Sequence, residues 1–125
     1  MNFSLLNVHS VRNKTNILRD YITDNLIDIF CLTETWLNEK ETAIISEFVP
    51  ETHVFHHFPR EGRGGGVGVV LAKFFKGIKS FRHKYDFFEC IQVDFEHVNR
   101  AFTIFVIYRA PSTSFSHFAA EYEGF

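Results

Sequence analysis

Ile27-Asp28-Ile29-Phe30-Cys31-Leu32-Thr33-Glu34-Thr35-Trp36 is the stretch on which the fold of this 125-residue chain turns. Its apolar run is rich in β-branched and aromatic residues and stops at Thr33-Glu34-Thr35-Trp36, the pattern of a buried strand running into a polar loop. Upstream, Lys14 to Leu26 carries Ile17, Leu18, Tyr21, Ile22 and Leu26 at helical spacing, with Thr15 or Asn16 placed to cap the start. Farther upstream, Phe3 to Val8 is a second short apolar run, broken by Asn7, His9 and Ser10, and predicts another buried strand. Strand, helix, strand at this spacing is a βαβ unit, with parallel strands and a right-handed crossover. Asn7 and Glu34 then both emerge at carboxyl ends of parallel strands, the edge at which open α/β sheets bind ligands.

Downstream, Asn38 to Phe48 reads as a short helix capped by Asn38, with Ile44, Ile45 and Phe48 on one face and Pro50 as its stop. Val54 to Phe58 predicts a strand, residues 59–66 a loop, and Val67 to Phe75 a strong strand. Phe87 to Phe95 alternates, placing Phe87, Ile91, Val93 and Phe95 on one face and Cys90, Gln92 and Asp94 on the other. Glu89 falls on the apolar face, where a carboxylate needs a partner; a structural hydrogen bond is favoured over a role in a site. Ala101 to Tyr108 is apolar on both faces, as a central, doubly covered strand is, and follows the previous strand closely enough to be antiparallel to it. Phe115, Phe118, Ala119 and Tyr122 then fall on one face of a last helix. Without repeats, low-complexity tracts or linkers, one folding unit, incomplete at its end, spans residues 1–125.

Composition agrees. Hydrophobic residues at 46% build one substantial core, and sixteen phenylalanines with four tyrosines against one methionine favour a sheet-rich interior. Cys31 and Cys90 lie in separate apolar runs, so they read as buried thiols rather than a disulfide framework or zinc site. No signal peptide and no membrane-length apolar window is visible, which leads to the expectation of an intracellular chain with no membrane partner. The net charge of -2 excludes a wholly basic nucleic-acid binder, yet Arg60, Arg63, Lys73, Lys76, Lys79, Arg82 and Lys84 cluster with Glu61 as the one acid among them. That segment suits a phosphate backbone or, equally, a solvated face.

Several motifs fail on inspection. Gly62-Arg63-Gly64-Gly65-Gly66-Val67-Gly68 lacks the Gly-Lys-Ser/Thr of a phosphate loop and leads into a strand, so its glycines read as a tight turn allowing close backbone packing. His56 and His57 point to opposite faces of a strand and the other histidines are scattered, which disfavours a zinc site. No elbow motif frames Ser10 as a nucleophile. What remains is Asn7, Glu34 and Tyr108, polar residues at the ends of three apolar strands. A lone carboxylate with amide and hydroxyl neighbours suits Mg²⁺, which prefers oxygen ligands and keeps several waters. On pattern alone, three loop residues satisfied locally remain the alternative.

The stretches Asn7-Val8-His9-Ser10-Val11-Arg12-Asn13-Lys14, Leu32-Thr33-Glu34-Thr35-Trp36-Leu37, Pro59-Arg60 with Gly62 to Gly68, and Ile107-Tyr108-Arg109-Ala110-Pro111 resemble, in order and spacing, the N-terminal motifs of endonucleases carried by LINE-type retrotransposons. That family is similar to apurinic/apyrimidinic endonucleases and DNase-like enzymes of the endonuclease/exonuclease/phosphatase superfamily. The resemblance implies the N-terminal half of a four-layer α/β sandwich, a mixed sheet with flanking helices. It implies Glu34 as the ligand of Mg²⁺, or Mn²⁺, Asn7 beside metal and phosphate, Tyr108 as the hydroxyl next to the scissile phosphate, and Arg63 and Arg109 as contacts to DNA. His9 stands where the family's Asn-Val-Arg-Ser stretch has Arg, and Ser112 where relatives often have Asn.

The resemblance also implies what is missing. Relatives supply a Gly-Asp-x-Asn stretch and a closing Ser-Asp-His stretch from their second half, and neither occurs here. The expectation is therefore a fragment of a metal-dependent DNA endonuclease that is inactive alone, in a family associated with a reverse transcriptase domain and with the nucleus. Two other classes stay open: a phosphatase of the same superfamily and a non-catalytic nucleic-acid-binding module. Truncation is further expected to bare the inner face of the sheet, which a second sheet would otherwise cover about 10 Å away.

Overall fold

A computed structural model describes residues 1–59, 64–111 and 113–124. Along the chain run β1 (Phe3–Asn7), α1 (Thr15–Asp24), β2 (Ile29–Thr33), α2 (Thr42–Phe48), β3 (His53–Phe58), β4 (Val67–Ala72), β5 (Lys76–Lys84), β6 (Glu89–His97), β7 (Arg100–Tyr108) and α3 (Phe115–Glu123). The βαβ unit forms as the sequence requires, with β1 parallel to β2 and Asn7 paired with Thr33. Antiparallel β4 and β3 complete a mixed sheet ordered β1-β2-β4-β3. A second, antiparallel sheet is ordered β5-β6-β7.

The two sheets face each other, β2 against β7, β4 against β6 and β7, and β3 against β6. Between them lies one apolar layer built from Ile29, Cys31, Val67, Val69 and Leu71 on the first sheet and Ile91, Val93, Phe95 and Val106 on the second. The opposite face of the first sheet buries Phe30, Leu32 and Val70 under Leu18 and Ile22 of α1 and Phe48 of α2. Each fully buried Phe, Leu or Ile is worth roughly 1.5–3 kcal/mol over its exposed state, so these two layers hold the sandwich together. At the end of the second sheet α3 sets Phe118 and Tyr122 against the Phe88 ring. Ser114 caps α3 by accepting from the His117 amide at 3.2 Å.

Several expectations are corrected. The inner face of the first sheet is covered across β2 and β4, because the chain supplies both sheets itself, and only its β1 strip, Phe3 and Leu5, stays bare. Two of the sheet edges carry exposed apolar side chains. β1 is an edge strand whose Phe3, Leu5 and Leu6 are exposed, Leu5 by 65%. β7 is also an edge rather than a central strand, with Phe102 and Phe105 exposed. Because β2 stacks over β7, β1 overhangs β7 and both open edges lie on the same flank.

Other differences are local. β5 has no counterpart in the sequence reading, because its Lys, Arg and His residues on an exposed edge mask the alternation. β4 stops at Ala72 and turns through Lys73 and Phe74, with Phe75 donating back to the Ala72 carbonyl. Neither Thr15 nor Asn16 caps α1, which starts after Lys14 without a side-chain cap. On α1 only Leu18 and Ile22 are buried, whereas Ile17, Tyr21 and Leu26 are exposed. α2 starts at Thr42, and the Asn38 side chain instead accepts from the Lys40 amide in the preceding turn.

Candidate active site

The ends of β1 and β2 are joined beyond the regular ladder. Val8 N–H donates to the Thr33 carbonyl at 2.9 Å, Ser10 N–H to that of Glu34 at 2.7 Å and Val11 N–H to that of Thr35 at 3.1 Å. Continuing this pairing past the strands forces left-handed backbone at His9, Ser10, Glu34 and Trp36, with φ of 51°, 76°, 54° and 57°. Non-glycine residues rarely adopt such angles, each at a cost of roughly 1–3 kcal/mol, and such residues cluster at functional sites. Lys14 braces the β1 loop by donating through Nζ to the Val8 and His9 carbonyls, both at 2.8 Å. Arg12 ties the same loop to the Trp36 carbonyl at 3.3 Å and forms an ion pair with Glu41.

The glycine-rich segment packs against the β2 loop from the other side. Thr35 N–H donates to the Gly66 carbonyl at 3.2 Å and Trp36 N–H to that of Gly65 at 2.8 Å. A Cβ on Gly66 would lie 2.4 Å from Thr35 Oγ1, so the close approach needs glycine. This agrees with reading the glycines as backbone packing rather than a phosphate cradle. Gly66 N–H then donates to Glu89 Oε1 at 2.7 Å. Glu89, placed on the apolar face by its alternation, thus has the structural partner expected of it, and it pairs across the second sheet with Tyr108. Thr35 to Gly66, Gly66 to Glu89 and Glu89 to Tyr108 thus link the β1–β2 loops of the first sheet to the second sheet at one end of the sandwich.

At that end, Glu34 is half-buried and its carboxylate has no hydrogen bond or ion pair among the described residues. The Asn7 side-chain amide is exposed and likewise uncommitted. Tyr108 ends β7, half-buried. Arg109 is exposed and its guanidinium sits 5.7 Å from the ring centres of both Phe115 and Phe118, a cation–π clasp that ties the end of β7 to α3. Arg63, the other candidate DNA contact, lies outside the described residues, as do Arg60, Gly62 and Ser112. Among the described residues no group of three or more His, Cys, Asp or Glu side chains is placed to share a metal. A divalent cation at this end would rest on oxygen donors, Glu34 and Asn7, with water completing its shell, a set that fits Mg²⁺ better than zinc.

The neighbouring charges are organised rather than free. Arg82 pairs with Glu39, and this hydrogen-bonded guanidinium holds the Glu39 carboxyl below its ordinary range. Arg82 Nε also donates to the His57 carbonyl at 3.1 Å. Burial lowers the pKa of the His57 imidazole, with Arg82 adding to the effect. Lys14 and Glu89 are the residues that pattern alone did not assign to this end. Lys14 read as a helix start, and only the misplaced polarity of Glu89 gave it away.

No family model matches the chain, and no curated protein matches it. Solved structures do. An AP endonuclease from Leishmania major superposes with a TM-score of 0.66 at 18% identity, over 94% of this chain and 43% of that enzyme. The fold is shared with AP endonucleases. A second one, from Archaeoglobus fulgidus, gives a TM-score of 0.55 at 18% identity, over 88% of this chain and 41% of its own. The chain therefore spans about two-fifths of the length of these two structures. No helix among the described residues is long and apolar enough to cross a membrane.

Proposed function

We propose that this chain is the N-terminal half of a metal-dependent DNA endonuclease domain of the endonuclease/exonuclease/phosphatase type, of the kind carried by LINE-type retrotransposons, and that it is inactive alone. The observation that carries the reading is the uncommitted Glu34 carboxylate, held on left-handed backbone at the carboxyl end of β2 beside Asn7. The shared fold and the ordered motifs around Asn7, Glu34, Gly64 to Gly68 and Tyr108 support the nuclease class. The open flank at β1 and β7 supports a missing half that would pair with both edges.

In this reading Glu34 and Asn7 hold Mg²⁺, which when bound supplies charge to a phosphodiester. The Asn7 amide donates to a phosphate oxygen, and Tyr108 places its hydroxyl beside the same group. Such donors act by stabilising charge that builds up on the phosphorus oxygens as water attacks in line. Arg109, fixed over two rings, contributes a cation whose position does not have to be found on binding. In this reading no general base and no histidine to steady the departing oxygen are assigned among the described residues. Factors of roughly 10² to 10⁴ each are therefore missing.

Nicking of supercoiled plasmid in Mg²⁺ tests the proposal. The 125-residue chain should be inactive, a form extended by the sequence encoded downstream should nick, and Glu34→Gln should abolish that nicking. Glu34-dependent nicking by the chain alone would show the second half to be dispensable. Nicking by the extended form that survives Glu34→Gln would remove Glu34 from the site. The exposed cations of β5, Lys76, Lys79 and Lys84, favour a second reading as a non-catalytic nucleic-acid binder. Salt-dependent binding without cleavage by either form would select it.

A further inference from the structure

A cleft of about 730 Å³ opens beside Glu89 and Tyr108. Phe58 at the end of β3, Tyr85 and Phe88 in the β5–β6 turn, and Lys40 and Lys84 line it together with Tyr108. We propose that this cleft seats one unpaired nucleotide of a single strand, its base among the rings and its phosphate between Lys40 and Lys84. The inference rests on the nuclease reading and adds to it a subsite for unpaired nucleic acid.

Size, shape and charge point the same way. The volume lies within the roughly 300–1,000 Å³ of sites for ligands of nucleotide size. Tyr85 and Phe88 form a stacked pair, ring centres 4.3 Å apart and planes 15° apart, and Arg82 lies 5.5 Å over the Phe58 ring. Flat rings beside cations are the usual platform for bases of a single strand. Of the acids lining the cleft, Glu39 is committed to Arg82 and Glu89 to the Gly66 amide, leaving Asp86. Against it stand Lys40 and Lys84, whose ammonium groups have no partner among the described residues. A ligand with an aromatic base and an anionic phosphate matches both features. Paired bases inside a duplex cannot present their faces to these rings.

Fluorescence anisotropy of a labelled oligothymidylate, a duplex of equal length and thymidine monophosphate, all in EDTA, tests this on the intact chain. The single strand should bind more tightly than either competitor. Tyr85→Leu should weaken it roughly 5- to 150-fold, the worth of one base stack, while Tyr85→Phe leaves it within about twofold. The pair Lys40→Gln/Lys84→Gln should weaken binding and flatten its salt dependence more than Lys73→Gln/Lys76→Gln, which changes the same charge elsewhere. Equal losses from both lysine pairs with none from Tyr85→Leu would reduce the binding to diffuse attraction and overturn the proposal. Tighter binding of the mononucleotide would reassign the cleft to a free nucleotide, and no single-strand binding would remove the site. The assay needs neither metal nor Glu34, so its failure leaves the nuclease reading standing and the nicking result leaves the cleft untouched.

Discussion

At Gly66 the backbone sits at φ +94° and a methyl group would strike Thr35 Oγ1. Both faults follow from one cause, the pressing of the glycine segment against the β2 loop. Gly66→Ala should therefore destabilise the chain by roughly 1–3 kcal/mol, read as a lower urea midpoint at unchanged m-value. Gly64→Ala, at φ +81° but with no atom nearer than Trp36 Nε1 at 3.9 Å, should cost less. The buried thiols offer a second test. Burial pushes Cys31 up to about 12 and Cys90 to about 11, from an ordinary value of 9.0. The unfolded thiols ionise first, so the stability from keeping them neutral is full below about pH 9 and is lost as pH rises toward the folded values. Cys31→Val should make denaturation midpoints fall less steeply across that range, and an unchanged slope would show that the Cys31 thiol does not drive it.

Single elements show where pattern and structure part. Lys14 to Leu26 was legible as a helix because Leu18 and Ile22 pack on β2 and Tyr21 sets its ring against Phe30, yet Ile17 and Leu26 stay largely exposed. β5 was not legible, because only Ile78 and His83 of this edge strand are half-buried and the rest is exposed, which leaves no apolar alternation. β7 reads as a central strand and stands at an edge, which is a conflict between its composition and its place in this chain. α3 buries no residue fully and is held by its Ser114 cap, by rings and by Glu121, which accepts from the Asp86 and Phe87 amides at 2.8 and 2.7 Å. Ser114→Ala should cost α3 roughly 0.5–2 kcal/mol. Amide hydrogen exchange should quicken in 115–123 while protection in β4 and β6 holds; uniform quickening would mean that α3 unfolds only with the whole chain.

For the molecule as a whole, the decisive feature is the flank where β1 overhangs β7. It combines unpaired backbone edges with Phe3, Leu5, Phe102 and Phe105, all exposed, and such edges pair with other chains unless charged or covered. The isolated chain should self-associate with rising concentration in sedimentation velocity. Leu5→Lys should shift it toward monomer without lowering its thermal midpoint, since that side chain is exposed. Unchanged association in that variant would place the sticky surface elsewhere, for example along Ile17 and Leu26.

By itself the sequence determined the βαβ unit, the β6–β7 hairpin, the three residues Asn7, Glu34 and Tyr108 at strand ends, and the need of Glu89 for a partner. These follow from hydrophobic period and short-range spacing, which act along the chain. Only the tertiary structure decided that both sheets come from this chain, that β1 and β7 lie open on one flank, that Gly66 bridges Thr35 and Glu89, and that a cleft opens beside Tyr108. Those depend on which strand stacks over which, a contest among distant segments for the same apolar surface, and local pattern does not record its outcome.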